Sequence, residues 1–168
     1  MGTAEAPVFA IAEGGGDDAE WAAGVMAASD PWLTLGRGLE QCRAACARPE
    51  MQLFVAWSGG ERCGAALVNP RGVAGAPYLA AIAVAPGWRG RGVGAELLTY
   101  CERWAAGLSR HFFLCVSSFN AAARHFYLRQ GYRQVGEFAD YIIDGESERL
   151  MYKRVDGRVA PPTAPGIH

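Results

Sequence analysis

The stretch from Tyr78 to Leu108 constrains this chain more than any other. Tyr78 to Val84 is a nearly continuous apolar run of strand length. An unbroken run of this kind belongs to a central strand buried on both faces, not to an alternating edge strand. After Ala85-Pro86-Gly87-Trp88-Arg89-Gly90-Arg91-Gly92-Val93-Gly94, the residues Leu97, Leu98, Cys101, Trp104 and Leu108 recur at helical spacing. A buried strand thus feeds a long helix through a glycine-rich basic loop, which requires an α/β fold. The helix N-terminus offers unpaired backbone N–H groups and a partial positive charge. Gly90, Gly92 and Gly94 remove the side chains that would hold an anion off, and Arg89 and Arg91 add charge. This chemistry suits a phosphate. The plainer reading is a basic surface loop.

With 168 residues, 51% of them hydrophobic and 20% charged, the chain has the size and balance of one globular domain with a real core. That excludes an intrinsically disordered protein. Sixteen Lys+Arg against seventeen Asp+Glu leave a net charge of −1, so no global basic field points to a nucleic-acid partner. The cysteines are Cys42, Cys46, Cys63, Cys101 and Cys115. Their number is odd and no pair has C-x-x-C spacing. With His111, His125 and His168 scattered, no metal site is expected. They read as buried, reduced thiols, in keeping with a reducing cytoplasm. Met1 to Ala12 lacks the basic start of a signal peptide, and Glu5 interrupts it. No apolar run approaches the ~20 residues needed to span a bilayer. A cytoplasmic protein with no membrane partner is expected.

No internal repeat is evident. Pro7 to Ala12 reads as a first strand, ended by Gly14-Gly15-Gly16. Asp17 and Glu20 resemble a capping box for a helix to about Ala28, broken by Asp30-Pro31-Trp32. Leu35, Leu39, Cys42 and Cys46 mark a second helix. Met51–Trp57 and Cys63–Val68 form a hairpin about Ser58-Gly59-Gly60-Glu61. His111–Ser117 is another buried strand, and Asn120–Gln130 a helix with Gly131 as its left-handed C′ residue. Tyr132–Ile143 and Glu146–Val155 flank Asp144-Gly145, a type I′ turn signal. Pro161, Pro162 and Pro165 make residues 160–168 a loose tail. About seven strands and four helices result.

The phosphate ligand is not settled by these residues. A Walker loop requires a Lys followed by Ser or Thr, absent here. A Rossmann reading, Gly90-x-Gly92-x-x-Ala95, lacks both the tight turn and the acidic residue expected near the end of His111–Ser117. A resemblance goes further. Val84-Ala85-Pro86-Gly87-Trp88-Arg89-Gly90-Arg91-Gly92-Val93-Gly94 resembles motif A of the GNAT acetyltransferases, V-x-P-x-x-[RQ]-x-x-G-x-[GA]. Asn120-Ala121-Ala122-Ala123-Arg124-His125-Phe126-Tyr127-Leu128-Arg129-Gln130-Gly131-Tyr132 resembles the family's N-x-x-A-x-x-[FL]-Y-x-x-x-G-[FY]. The match covers roughly residues 76 to 155.

The resemblance implies a single-domain GNAT-like α/β fold over 1–155, with a mixed sheet whose parallel central strands, 78–84 and 111–117, splay apart. Residues 1–75 would form the acceptor-side half, 76–155 the acyl-CoA half, and 156–168 a flexible tail. It further implies that main-chain groups of Ile82, Ala83 and Val84 pair with the pantetheine arm of acetyl-CoA. The N–H groups of Arg89, Gly90, Arg91, Gly92, Val93, Gly94 and Ala95 would hold its pyrophosphate. Asn120 would bond the pantetheine, the Val84 N–H would polarise the thioester carbonyl, and Tyr127 would protonate the leaving thiolate. The competing role for Tyr127 is packing. The implied activity is acetyl transfer to the primary amine of a small molecule or peptide by direct attack, without metal. The alternative is an acyl-CoA sensor without turnover. A homodimer stays open.

The general base is not identifiable from the sequence. Some protein N-terminal acetyltransferases of the family carry a Glu five residues before the Asn, where this chain has Cys115. Cys115 is either a nucleophile or, the favoured reading, a packed thiol. Asp30, Glu40 and Asp140 lie in acceptor-side segments, where solvated charges or caps are the plainer roles. The acceptor pocket is expected from residues 21–40 and from the hairpin around Asp140 to Glu148. Asp30, Trp32 and Tyr141 are its candidate lining, and Trp21 and Leu33 are further large apolar residues there.

Overall fold

In a computed structural model that describes residues 5–156, the apolar runs become seven strands. These are β1 (Ala10–Glu13), β2 (Gln52–Ser58), β3 (Glu61–Val73), β4 (Ala76–Val84), β5 (His111–Ser117), β6 (Arg133–Ala139) and β7 (Ser147–Arg154). They form one sheet in the order β1-β2-β3-β4-β5-β7-β6. All neighbours are antiparallel except β4 and β5. The helices are α1 (Gly16–Ala27), α2 (Leu39–Cys46), α3 (Val93–Ala106) and α4 (Ala121–Arg129). A 3₁₀ turn at Pro86–Trp88 precedes α3.

The period-2 alternation of the strands sends side chains to two cores. On one face, Phe54, Val68, Phe112, Leu114 and Met151 pack against Leu97, Leu98 and Cys101 of α3 and Tyr127 of α4. Gly64 of β3 permits this closeness. A Cβ there would meet Leu97 Cδ1 and Val93 Cγ1 at 2.9 Å. On the other face, Leu53, Val55, Leu67 and Ala83 pack against Ala22, Ala23 and Met26 of α1 and Cys42 of α2. Among the described residues this second core takes nothing from β5, β6 or β7. Helices therefore cover both faces of β2–β4, but only one face of β5 and β7. That uncovered half is where an acceptor side has room to exist.

Several expectations are refined. The first strand is Ala10–Glu13, and the first helix begins at Gly16 because Gly15 takes the N-cap place. The box therefore falls two residues earlier than expected, at Gly15 and Asp18 in place of Asp17 and Glu20: Gly15 N–H donates to Asp18 Oδ2 at 2.9 Å. The second helix begins at Leu39, and Leu35 lies in a turn. The third helix ends at Ala106, leaving Leu108 exposed instead of in the buried stripe. Gly131 takes φ +90°, as its C′ place requires.

The expected two-residue hairpin at Asp144-Gly145 is not formed. β6 ends at Ala139, and a longer loop closes where Gly145 N–H donates to Asp140 Oδ1 at 2.6 Å. Residues 160–168, the expected loose tail, lie outside the described residues.

Candidate functional site: a cleft between two splayed strands

β4 and β5 pair over only two positions, Tyr78↔Phe113 and Leu79↔Leu114. Beyond them the strands part and leave a cleft of about 910 Å³, the scale of a small-molecule site. The parting explains why Ala80, on a strand expected to be buried on both faces, is exposed. From Ala81 to Val84, β4 is paired on its β3 side alone. Ala85 N–H donates to Cys63 O at 2.8 Å. Successive residues of a strand point their main-chain groups to opposite sides. Ala83 therefore turns its N–H and C=O to β3, whereas Ile82 and Val84 turn theirs to the cleft. Of the three main-chain candidates, two face the gap and Ala83 does not. Arg89 Nε donates to Val84 O at 3.3 Å, so the Val84 N–H is the group left for a ligand.

The cleft continues to the N-terminus of α3. Gly90 (φ +74°) and Gly92 (φ +89°) hold left-handed conformations that L side chains rarely adopt. A Cβ on either would enter open space. The backbone is thus bare where a ligand approaches and shaped by glycine alone. Gly90, Gly92, Val93, Gly94 and Ala95 all line the cleft, so the loop and helix end suit a pyrophosphate.

The two arginines are placed differently from the simple expectation of added charge. Arg89 Nη2 donates to Ser29 Oγ at 3.0 Å, so this guanidinium ties the loop to the end of α1. Arg91 lies over the Trp88 ring at 5.1 Å and is not among the lining residues.

Asn120 is the N-cap of α4, its Oδ1 accepting Ala123 N–H at 3.2 Å. It also lines the cleft, as does Tyr127 one helical face onward. The Tyr127 ring packs against Phe126 and Tyr132, yet its hydroxyl makes no hydrogen bond among the described residues. Burial pushes this phenol up from its ordinary value. It holds its proton at neutral pH and can give it to a group that gains negative charge.

On the acceptor side, Asp30, Trp32 and Tyr141 all line the same cleft. Asp30 Oδ1 accepts both Thr34 N–H (3.1 Å) and Thr34 Oγ1–H (2.7 Å), a local turn brace. Trp32 is buried in the second core, and Tyr141 is exposed and packs on Phe138. Trp21 packs beside the second core away from the cleft, and Leu33 is exposed. Glu40 pairs with Arg43 on the surface, and Asp140 braces its loop. Neither lines the cleft.

Cys115 does line it, half-buried. Burial raises its thiol above the ordinary value, although the neighbouring Tyr78 phenol opposes this. Among the described residues no imidazole lines the cleft with it, and none of them there generates a thiolate.

Sequence reasoning placed Glu148 only at the end of the expected acceptor hairpin, without a role of its own, and missed Ser117 and Tyr78. Glu148 is buried, lines the cleft and accepts a hydrogen bond from Ser117 Oγ. The two are register partners on β5 and β7. Only that pairing brings together residues so far apart in sequence. No group of His, Cys, Asp and Glu among the described residues could hold a metal ion, and no described helix is long and apolar enough to cross a membrane.

The chain is similar over 88% of its length to a GNAT-family protein from Desulfovibrio desulfuricans, of which 99% is covered, with TM-score 0.77 and 21% identity. It is similar to an aminoglycoside 6'-N-acetyltransferase solved with coenzyme A, at TM-score 0.71 and 17% identity, over 90% of this chain and 99% of that one. It is also similar to a nourseothricin acetyltransferase at 30% identity and TM-score 0.58, over 64% of this chain and 66% of that one. A search of curated proteins finds no match. The family model described as "Acetyltransferase (GNAT) family" matches residues 18–132. That span takes in the cleft-forming strands, the glycine loop and α4, and with it the chain belongs to the GNAT acetyltransferase family.

Proposed function

We propose that the protein transfers the acetyl group of acetyl-CoA to the primary amine of a small molecule or peptide by direct attack. The observation that carries this is the parting of β4 from β5 after two paired positions. It leaves a strand edge, a glycine-built helix N-terminus and a buried phenol facing one cleft. The pantetheine arm would lie along the free edge of β4 as an added strand, on the main-chain groups of Ile82 and Val84. The N–H groups from Gly90 to Ala95 would hold the pyrophosphate, with the Asn120 amide beside the arm.

The Val84 N–H would donate to the thioester oxygen as it gains charge. Tyr127 would supply a proton to the departing sulfur. The aminoglycoside 6'-N-acetyltransferase solved with coenzyme A supports this donor. The names of that neighbour and of the nourseothricin acetyltransferase support a small-molecule acceptor.

The test is release of free thiol from acetyl-CoA in the presence of a panel of primary amines. Turnover with any amine supports the enzyme. Tight acetyl-CoA binding by calorimetry with no thiol released by any of them replaces it with a sensor.

A further inference from the structure

Glu148 is a carboxylate at 8% exposure in the wall of the cleft. Its one hydrogen-bond partner among the described residues is the Ser117 hydroxyl. No described Lys, Arg or His forms an ion pair with it. The adjacent Arg149 points to the other side of the strand, 3.9 Å from Glu137. A carboxylate taken out of water and left without a cation is costly, and native proteins rarely keep one unless something pairs with it. Among the described residues none supplies such a cation, which points to a ligand as its source.

The position of Glu148 indicates which ligand. Phe112, Leu114 and Val116 face the α3–α4 core. Ser117 therefore faces the opposite side of β5, and its register partner Glu148 shares that side. This is the half of the sheet that α1 and α2 leave uncovered. The glycine loop and α3 lie across the sheet from it. Trp32 and Tyr141, large aromatic residues of the same cleft, stand on this side. An acidic group in a cleft that also presents aromatic rings suits an organic cation with an apolar body.

We infer that Glu148 is the acceptor-side catalytic residue: it binds the reacting amine in its ammonium form and takes its proton. The acceptor class is then a basic, aliphatic primary amine carried on an aromatic or other apolar body. This inference rests on the acetyl-transfer reading above. The ammonium loses one proton to the Glu148 carboxylate, which becomes neutral. The freed lone pair forms the new C–N bond to the acetyl carbonyl, and the C–S bond breaks. Tyr127 gives its proton to the sulfur and regains one from the acylated nitrogen. Glu148 then releases its proton to solvent. The net products are an amide, coenzyme A thiol and one proton. Ser117 acts through Glu148, as a positioning residue that holds one carboxylate oxygen.

The experiment compares the intact protein with Glu148→Gln and Glu148→Asp. Three readouts are taken: thiol release from acetyl-CoA, calorimetric binding of acetyl-CoA, and calorimetric binding of the amine to the protein loaded with coenzyme A. The amines are phenethylamine and tyramine, which are cationic at neutral pH, and p-toluidine, which is neutral there. The expected result is turnover of the cationic amines and little of p-toluidine. Glu148→Gln should lose about a hundredfold in kcat/KM, the scale of general-base help, and should bind the cationic amines at least tenfold more weakly. Its acetyl-CoA affinity and melting temperature should be unchanged, and Glu148→Asp should recover part of the rate.

Equal amine binding and turnover by Glu148→Gln and the unchanged protein overturns the inference. So does preference for p-toluidine. Both leave acetyl transfer standing. Absence of thiol release from the unchanged protein with all three amines, with no binding of the cationic amines, overturns the inference as well. Acetyl-CoA binding in that last case leaves the sensor reading in place of the enzyme.

Discussion

Tyr127 illustrates how one residue meets two demands. Its ring belongs to the core under α3, and the residue also lines the cleft, its hydroxyl without a hydrogen bond among the described residues. Tyr127→Phe keeps the packing and removes only the proposed proton donor. Turnover should fall by about a hundredfold, the low end for general acid help because a thiolate is a fair leaving group. Acetyl-CoA affinity by calorimetry should hold, since the hydroxyl acts as the sulfur gains charge and not before. Cys115 gives the contrast. Its thiol is raised by burial and lines the cleft without an imidazole. Cys115→Ala should keep kcat within a few-fold while lowering the melting temperature. Abolished turnover in a folded Cys115→Ala, with Tyr127→Phe active, would show transfer through an acyl-cysteine.

At the scale of elements, the loop from β4 to α3 depends on backbone shape more than on its arginines. Gly92 sits at φ +89° with open space where a Cβ would be. Gly92→Glu adds a carboxylate where a phosphate should lie, and acetyl-CoA affinity should fall at least about tenfold, or ~1.4 kcal/mol. Gly92→Ala isolates the backbone strain and should cost less. Unchanged calorimetric affinity in a folded Gly92→Glu would remove the pyrophosphate from this loop.

The start of α1 carries a stability prediction. Asp18 accepts Gly15 N–H and pairs with Arg62 at 2.7 Å. The Gly15 N–H chiefly, and then Arg62, hold its carboxyl below the ordinary 3.8. A carboxylate lowered on folding stabilises the fold above its unfolded value, and that stabilisation is lost as pH falls through the folded value. Asp18→Ala should cost about 1 kcal/mol at neutral pH. The gap between the two melting curves should close on acidification below 3.8. A gap constant with pH would contradict the cap.

For the molecule as a whole, the uneven coverage of the sheet is the decisive feature. α1 and α2 close one face of β2–β4 and α3 the other, and the open half of β5 and β7 becomes one wall of the cleft. Under the proposed function, chemistry in this cleft would rest on strand edges, a helix end and side-chain proton donors and acceptors. Thiol release with an accepted amine should survive exhaustive chelation, and a loss restored by zinc would reverse this. Burial raises Cys46 to about 11 and Cys101 to about 12. The native protein should therefore alkylate slowly at neutral pH and quickly once denatured.

The local grammar of the chain was legible without a structure. The run Tyr78–Val84, the glycines of the loop and the Gly131 C′ residue each depend on neighbours a few residues away. His111–Ser117 emerged with the bounds read from its sequence. Where competing local turns existed, the reading slipped. Asp140 closes a wider loop in place of the Asp144-Gly145 turn, because its carboxylate reaches Gly145 N–H. Whether Ala83 or Val84 faces the gap depends on the register with β3, which no short window contains. Glu148 shows the limit most clearly. The sequence marks the hairpin that ends at Glu148 as acceptor-side but gives this carboxylate no role. Its place beside Ser117, without a cation, arises only when β7 inserts between β5 and β6. Sequence determines what each segment can be, through short-range sterics and hydrogen bonds. Which polar groups share a buried wall is decided by long-range strand pairing, and there a charge is left for a ligand to meet.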